Sequence, residues 1–114
     1  RTTQTSIGVA ATKIYLALYQ LQDDLKFWEE NWDYKDVAVR LHHSLVKIHP
    51  FLNGNGRWAR LVVDLWLLKY GHNVLSWGGD INEISTARNK YISTLKKADN
   101  GDYEILKQFM FNEE

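Results

Sequence analysis

The sequence contains no cysteine and only one proline, Pro50. Without cysteine there is no disulfide framework and no thiolate zinc site, which fits a reducing, cytoplasmic setting. A charge excess is also missing: Lys plus Arg and Asp plus Glu each number 14, for a formal net charge of zero. A nucleic-acid partner would call for a basic excess or stripe, so none is expected, and positive charge at any ligand site must be local. Long hydrophobic runs are absent too. The apolar stretch from Leu61 to Leu68 is interrupted by Asp64 and falls far short of the roughly 20 residues that span a bilayer. It predicts a central buried helix and no membrane partner. No signal-peptide pattern stands at the start.

What is present suits a globular domain. The 114 residues are 45% apolar and 25% charged, and they suggest one domain spanning 1–114. Five Trp and six Tyr predict a core of bulky rings whose polar edges need partners.

Periodicity points to an all-α fold. Ile14, Leu18, Leu21, Leu25, Trp28 and Trp32 recur at spacings of three and four, one face of a long helix. Asn31 to Asp33 ends it, and Glu29 and Glu30 are expected in a solvated charged turn there. A second helix follows with Val37, Leu41, Leu45 and Ile48 inward. A third starts near Gly56 and runs to Tyr70, with Gly71 as its C-cap. Asp80 is suited to cap a fourth helix carrying Ile81, Ile84, Ala87, Tyr91 and Leu95. Asn100-Gly101 turns the chain, and Asp102 caps a last helix with Leu106, Phe109 and Met110. Thr2 to Val9, rich in Thr and Ser, reads as an extended segment or short β-hairpin arm.

The chemistry concentrates in His49-Pro50-Phe51-Leu52-Asn53-Gly54-Asn55-Gly56-Arg57-Trp58-Ala59-Arg60. This is a histidine at a helix end, a glycine loop, and the start of the next helix. A helix N-terminus presents unpaired N–H groups and a partial positive charge to an anion. Gly54 and Gly56 let backbone amides turn toward a phosphate, and Asn55 adds an amide donor. Arg57 and Arg60, three apart, share a helix face and can both reach a polyphosphate. Phe51 reads as the anchor of the loop. His49, with an ordinary pKa of about 6.5, can take a proton from an attacking hydroxyl.

This stretch resembles the Fic signature, His-x-Phe-x-(Asp/Glu)-Gly-Asn-Gly-Arg-x-x-Arg, and meets seven of its eight fixed positions. Leu41-His42-His43 and Ile48-His49-Pro50-Phe51 look like the family's lead-in helix. Arg88-Asn89-Lys90-Tyr91 and Ala98 to Tyr103 look like its C-terminal helices around the adenine. The Asn-Gly-Asn-Gly variant, with Leu75-Ser76-Trp77-Gly78, is similar to a bacterial subgroup called mobile mystery protein B. The resemblance implies a Fic-type helical bundle that transfers AMP from Mg-ATP to a Ser, Thr or Tyr hydroxyl of a target protein. It implies His49 as general base, Asn53, Gly54, Asn55 and Gly56 around the phosphates, and Arg57 and Arg60 holding them. Tyr91 would lie beside the adenine. Thr3, Gln4, Thr5, Ser6, Ile7 and Gly8 would form the flap that holds the target segment. The chain would then be a core whose regulatory element lies upstream or on an inhibitory partner.

One position departs from the signature. Asn53 stands where the family carries the acid that holds Mg²⁺; its carbonyl oxygen is a neutral and poorer ligand. Two alternatives stay open: a member of the family that transfers phosphate or phosphocholine, and, because of Asn53, a nucleotide-binding or interaction module of weak catalysis. Glu30-Asn31 matches the end of the family's inhibitory motif, but Lys26 occupies its Ser/Thr position. His42 and His43, being adjacent, point to different faces of a helix and do not make a metal pair. Arg60 can pair with Asp64 four residues on, and Asp64 reads as structural. The tryptophans are read as packing residues.

Overall fold

The computed structural model describes the backbone of residues 4–48, 55–75, 77 and 86–111, and the side chains of 12–48, 57–75, 77 and 89–111. Among the described residues the fold is all-helical: α1 (Gln4–Asn31), α2 (Tyr34–Ile48), α3 (Asn55–Lys69), α4 (Thr86–Asp99) and α5 (Glu104–Phe111).

α2 is the central element, packing against α1, α3 and α5, while α4 pairs with α5. Its sequence explains this position. Val37, Leu41 and Leu45 fall on one face, and the small residue Ala38 lets a neighbour approach closely; all four are buried. Asp33 starts the helix, its carboxylate accepting the Lys35 amide at 3.1 Å. Ala59, Val63 and Leu67 of α3 close one side of the core, and Ala98, Leu106 and Met110 of α4 and α5 close another. From α1, Leu21 is buried, with Leu18, Leu25 and Trp28 packed against the same cluster.

Glycine ends two helices for a stated reason. Gly71 has φ of 83°, its amide bonds the Leu68 carbonyl, and the His72 amide reaches back to Leu67 at 2.9 Å. Gly101, with φ of 92°, repeats the pattern with Ala98, and the Asp102 amide bonds Lys97. This paired closure satisfies the orphan carbonyls of a helix end and needs a residue without a Cβ at the left-handed position. Asp102 then accepts the Glu104 amide to start α5.

Three expectations need correction. The hairpin arm expected over Thr2 to Val9 is not found among the described residues: from Gln4 the backbone is helix, and flap residues Gln4 to Gly8 lie in the first turns of α1. The spacing of Ile7, Ala10, Ala11 and Ile14 continues the helical period, which outweighs the weak extended preference of Thr and Ser. Glu29 and Glu30 are not in a turn but inside α1, and Glu29 accepts the Trp66 indole N–H at 2.7 Å. α3 is not buried all round. Val63 and Leu67 are fully buried, but Leu61, Leu65 and Leu68, at spacings of four and three, form an exposed apolar face. α1 likewise exposes Tyr15, Tyr19 and Phe27. Thr3 and residues 80–85, with the expected Asp80 cap, lie outside the described residues. No described helix is long and apolar enough to cross a membrane.

Candidate functional site

The signature straddles the junction between α2 and α3. α2 ends at Ile48, one residue before His49, and α3 opens at Asn55. His49, Asn53 and Gly54 lie outside the described residues, as do the side chains of Asn55 and Gly56. What is described is the frame: two packed helices, the second of which begins inside the Gly-Asn-Gly segment. Its first turn contains no acidic residue, so no side chain of that turn offsets the partial positive charge at the helix start. Arg57 is exposed at this mouth, and Arg60, one turn further in, is half-buried.

Arg60 is engaged by α4. Its guanidinium carbon lies 5.7 Å from the centre of the Tyr91 ring. Tyr91 is 6% exposed. Burial pushes its hydroxyl up to about 12, an effect that Arg60 partly offsets. The same oxygen lies 2.7 Å from Nε2 of His42, on α2.

His42 is fully buried. Burial, and then the Arg60 charge, lower its pKa to about 3, so the ring is neutral at ordinary pH. A neutral imidazole has one donor and one acceptor nitrogen, so the direction of this hydrogen bond follows the ring's tautomer. The Ala59 backbone of α3 raises the ring's pKa in part, although Nδ1 has no hydrogen-bond partner of good geometry.

The ring of Trp77 packs on His42, with centroids 4.7 Å apart. Its indole N–H donates to Asp64, which also accepts the Leu75 amide at 3.2 Å. Asp64 thus holds Leu75 and Trp77 against α3. The five side chains Arg60, Tyr91, His42, Trp77 and Asp64 form one connected set that starts and ends on α3. His43, on another face of α2, is occupied by Asp99 of α4 at 2.8 Å.

The structure therefore brings Arg60 and Tyr91 together and sets Arg57 on the same helix end. Tyr91, expected near the adenine, is engaged by protein: its ring meets His42 and Phe109. Sequence reasoning missed His42 as a hydrogen-bonding residue. The available signal was its position four residues after Ala38 and three before Leu45, on the buried face of α2. Among the described residues no group of His, Asp or Glu could hold a metal. A cleft of about 420 Å³ lined by Trp32, Asp36, Arg40 and Tyr103 lies toward the other end of α2, and its Arg40 is already stacked between Trp32 and Tyr103.

Comparison with known proteins points to one family. Protein adenylyltransferase Fic of Drosophila yakuba is 36% identical over 75 residues, covering 66% of this chain and 14% of the relative. A Fido domain-containing protein of Dictyostelium discoideum is 40% identical over 63 residues, covering 55% of this chain and 40% of the relative. The chain thus spans well under half the length of these relatives. No solved structure gives a significant match. The model of the Fic/DOC family matches residues 4–67, and with more than half of its length covered the chain belongs to that family.

Proposed function

We propose that this chain is the catalytic core of a protein adenylyltransferase that moves AMP from ATP to a Ser, Thr or Tyr hydroxyl of a target protein. The observation that carries the reading is the opening of α3 inside Gly54-Asn55-Gly56, with Arg57 at its mouth and Arg60 one turn in. Free amides and two guanidinium groups at one helix end suit a polyphosphate, and the names of the Drosophila relatives supply the reaction class.

In this reading His49 takes the proton from the acceptor hydroxyl. Its oxygen forms a bond to the α-phosphorus, the bond from that phosphorus to the bridging oxygen breaks, and pyrophosphate leaves. The protein's contribution is positioning and charge stabilisation. Mg²⁺ would arrive with the nucleotide, held by phosphate oxygens and the Asn53 carbonyl, and would neutralise charge on the leaving group. The Asn-Gly-Asn-Gly variant supports a place in the bacterial mobile mystery protein B subgroup. The intact Gly-Asn-Gly segment favours AMP over phosphate or phosphocholine as the transferred group.

The test is incubation of the chain with radiolabelled ATP and candidate acceptor proteins, beside His49→Ala. Transfer that disappears in the variant supports the reading, and transfer that survives sinks the assigned base. Asn53 favours one second reading, a nucleotide binder without turnover. Calorimetry separates the two: Mg-ATP binding without transfer selects the binder, and no ATP affinity with or without Mg²⁺ removes both.

A further inference from the structure

We propose that an aromatic-walled cavity beyond the C-terminal end of α3 is a binding site for a trimethylammonium group. Trp32, Tyr34, Trp66, Tyr70, His72 and Glu29 line it, around a volume of about 230 Å³. It lies where the end of α1, the start of α2 and the turn after α3 meet. The signature stands at the opposite end of α3, whose 15 residues of helix span roughly 22 Å. The inference therefore does not rest on the nucleotide reading.

The lining selects a cation. Glu29 is half-buried, forms no ion pair with a described residue, and receives one hydrogen bond, from the Trp66 indole at 2.7 Å. A carboxylate held among rings loses hydration, which a cation would restore as charge pairing. The rings favour the same sign, since an aromatic face attracts a cation within about 6 Å of its centre. Two of them already do so: Arg40 lies over Trp32 at 5.1 Å and Lys69 over Tyr70 at 5.4 Å, although neither cation lines the cavity. A primary ammonium brings three N–H donors and a guanidinium five. Against mostly aromatic walls those donors lose water without equal return. A trimethylammonium group has no donor to satisfy, and its methyls pack on the rings while carrying the charge. The volume is below the roughly 300 Å³ at which pockets for whole small ligands begin, so it suits a head group of side-chain size. The walls are also set in advance. The His72 amide closes the end of α3 on the Leu67 carbonyl at 2.9 Å, and its ring stacks on Tyr34 at 3.7 Å with 5° between planes. Trp32 stacks on Trp28 at 5.3 Å. Little ordering is left to be done on binding.

NMR titration of the whole 114-residue chain without nucleotide tests this, read at the Trp66 indole Nε1–H signal. The probes are choline, N-acetyl-trimethyllysine amide, N-acetyl-lysine amide, and the neutral analogue of choline in which tert-butyl replaces trimethylammonium. A saturable shift is expected with the methylated cations, and the tert-butyl analogue should bind about tenfold more weakly. Glu29→Gln keeps an acceptor for the indole but loses the charge, and should weaken the methylated probes about tenfold. Tyr70→Leu, on the rim at 47% exposure, should act alike and serves if Glu29→Gln fails to fold. Tighter binding of the trimethyllysine amide assigns the group to a protein partner, and tighter binding of choline to a small molecule; both support the site. No shift with either methylated probe, equal affinity for the tert-butyl analogue, or affinity unchanged in both variants overturns the proposal. Lysine amide bound as tightly as its trimethylated form overturns the choice of head group.

Discussion

The indole of Trp77 and the carboxylate of Asp64 are joined through Nε1, at 3.2 Å from one oxygen and 3.3 Å from the other. This contact holds a residue in an unfavourable backbone state. Trp77 has φ of 57°, in the left-handed region where a residue with a Cβ costs about 1–2 kcal/mol. Asp64 offsets that cost by anchoring both the Trp77 ring and the Leu75 amide. Asp64→Ala leaves the donors of buried Trp77 and half-buried Leu75 without this partner and should destabilise the fold by roughly 1–3 kcal/mol. Denaturant unfolding measures it, and a variant as stable as the native chain would show that these bonds are not needed.

Acid should weaken the fold through His42. Its pKa falls from 6.5 to about 3, chiefly through burial and next through the Arg60 charge. Between those values the unfolded chain binds a proton that the folded chain does not, so stability rises with pH across this window and is lost as pH falls below about 6.5. The expected loss from pH 7 to pH 5 is about 2 kcal/mol from this residue. His42→Gln should flatten that slope. An unchanged slope in the variant would assign the acid sensitivity to other groups.

Gly71 provides a cleaner backbone test. A Cβ added there meets nothing within 4 Å, so Gly71→Ala changes only the cost of the left-handed φ of 83°. Destabilisation of about 1 kcal/mol is expected, a fall in Tm of roughly 4 °C for a domain of this size. Gly101→Ala should behave alike, since its surroundings are equally open and its φ is 92°.

Restoring the acid of the signature should strengthen metal-dependent binding. Asn53→Asp adds a charge where the neutral amide now stands, and Mg-ATP affinity should rise about three- to tenfold with little change for ATP in EDTA. Titration calorimetry with and without Mg²⁺ reads the difference. Equal gains in both conditions would place this side chain away from the metal.

The legible parts of the sequence were those where one local rule dominates. The three-and-four spacing of Val37, Leu41 and Leu45 located the inner face of α2, and Gly71 and Gly101 marked helix ends because only their backbone freedom fits there. The family was legible from the fixed residues around Gly54-Asn55-Gly56. Other features depend on partners distant in the chain. The bond from Trp66 to Glu29 links residues 37 positions apart, and that from His42 to Tyr91 spans 49. No periodicity encodes such pairs. The start of α1 was misread because Thr and Ser favour extended backbone only weakly, whereas propagation of an existing helix adds a hydrogen bond with each residue. The apolar run of α3 was misread because a continuous run does not say which of its faces finds a neighbour.

The outward leucines of α3 also have a calorimetric consequence. Leu61, Leu65 and Leu68 are each more than half exposed in the folded chain, so unfolding adds less newly wetted hydrocarbon than for a fully enclosed helix. The heat capacity increment should therefore fall below the roughly 1.4 kcal/mol/K expected for this length, and the stability curve should be correspondingly flat across ordinary temperatures.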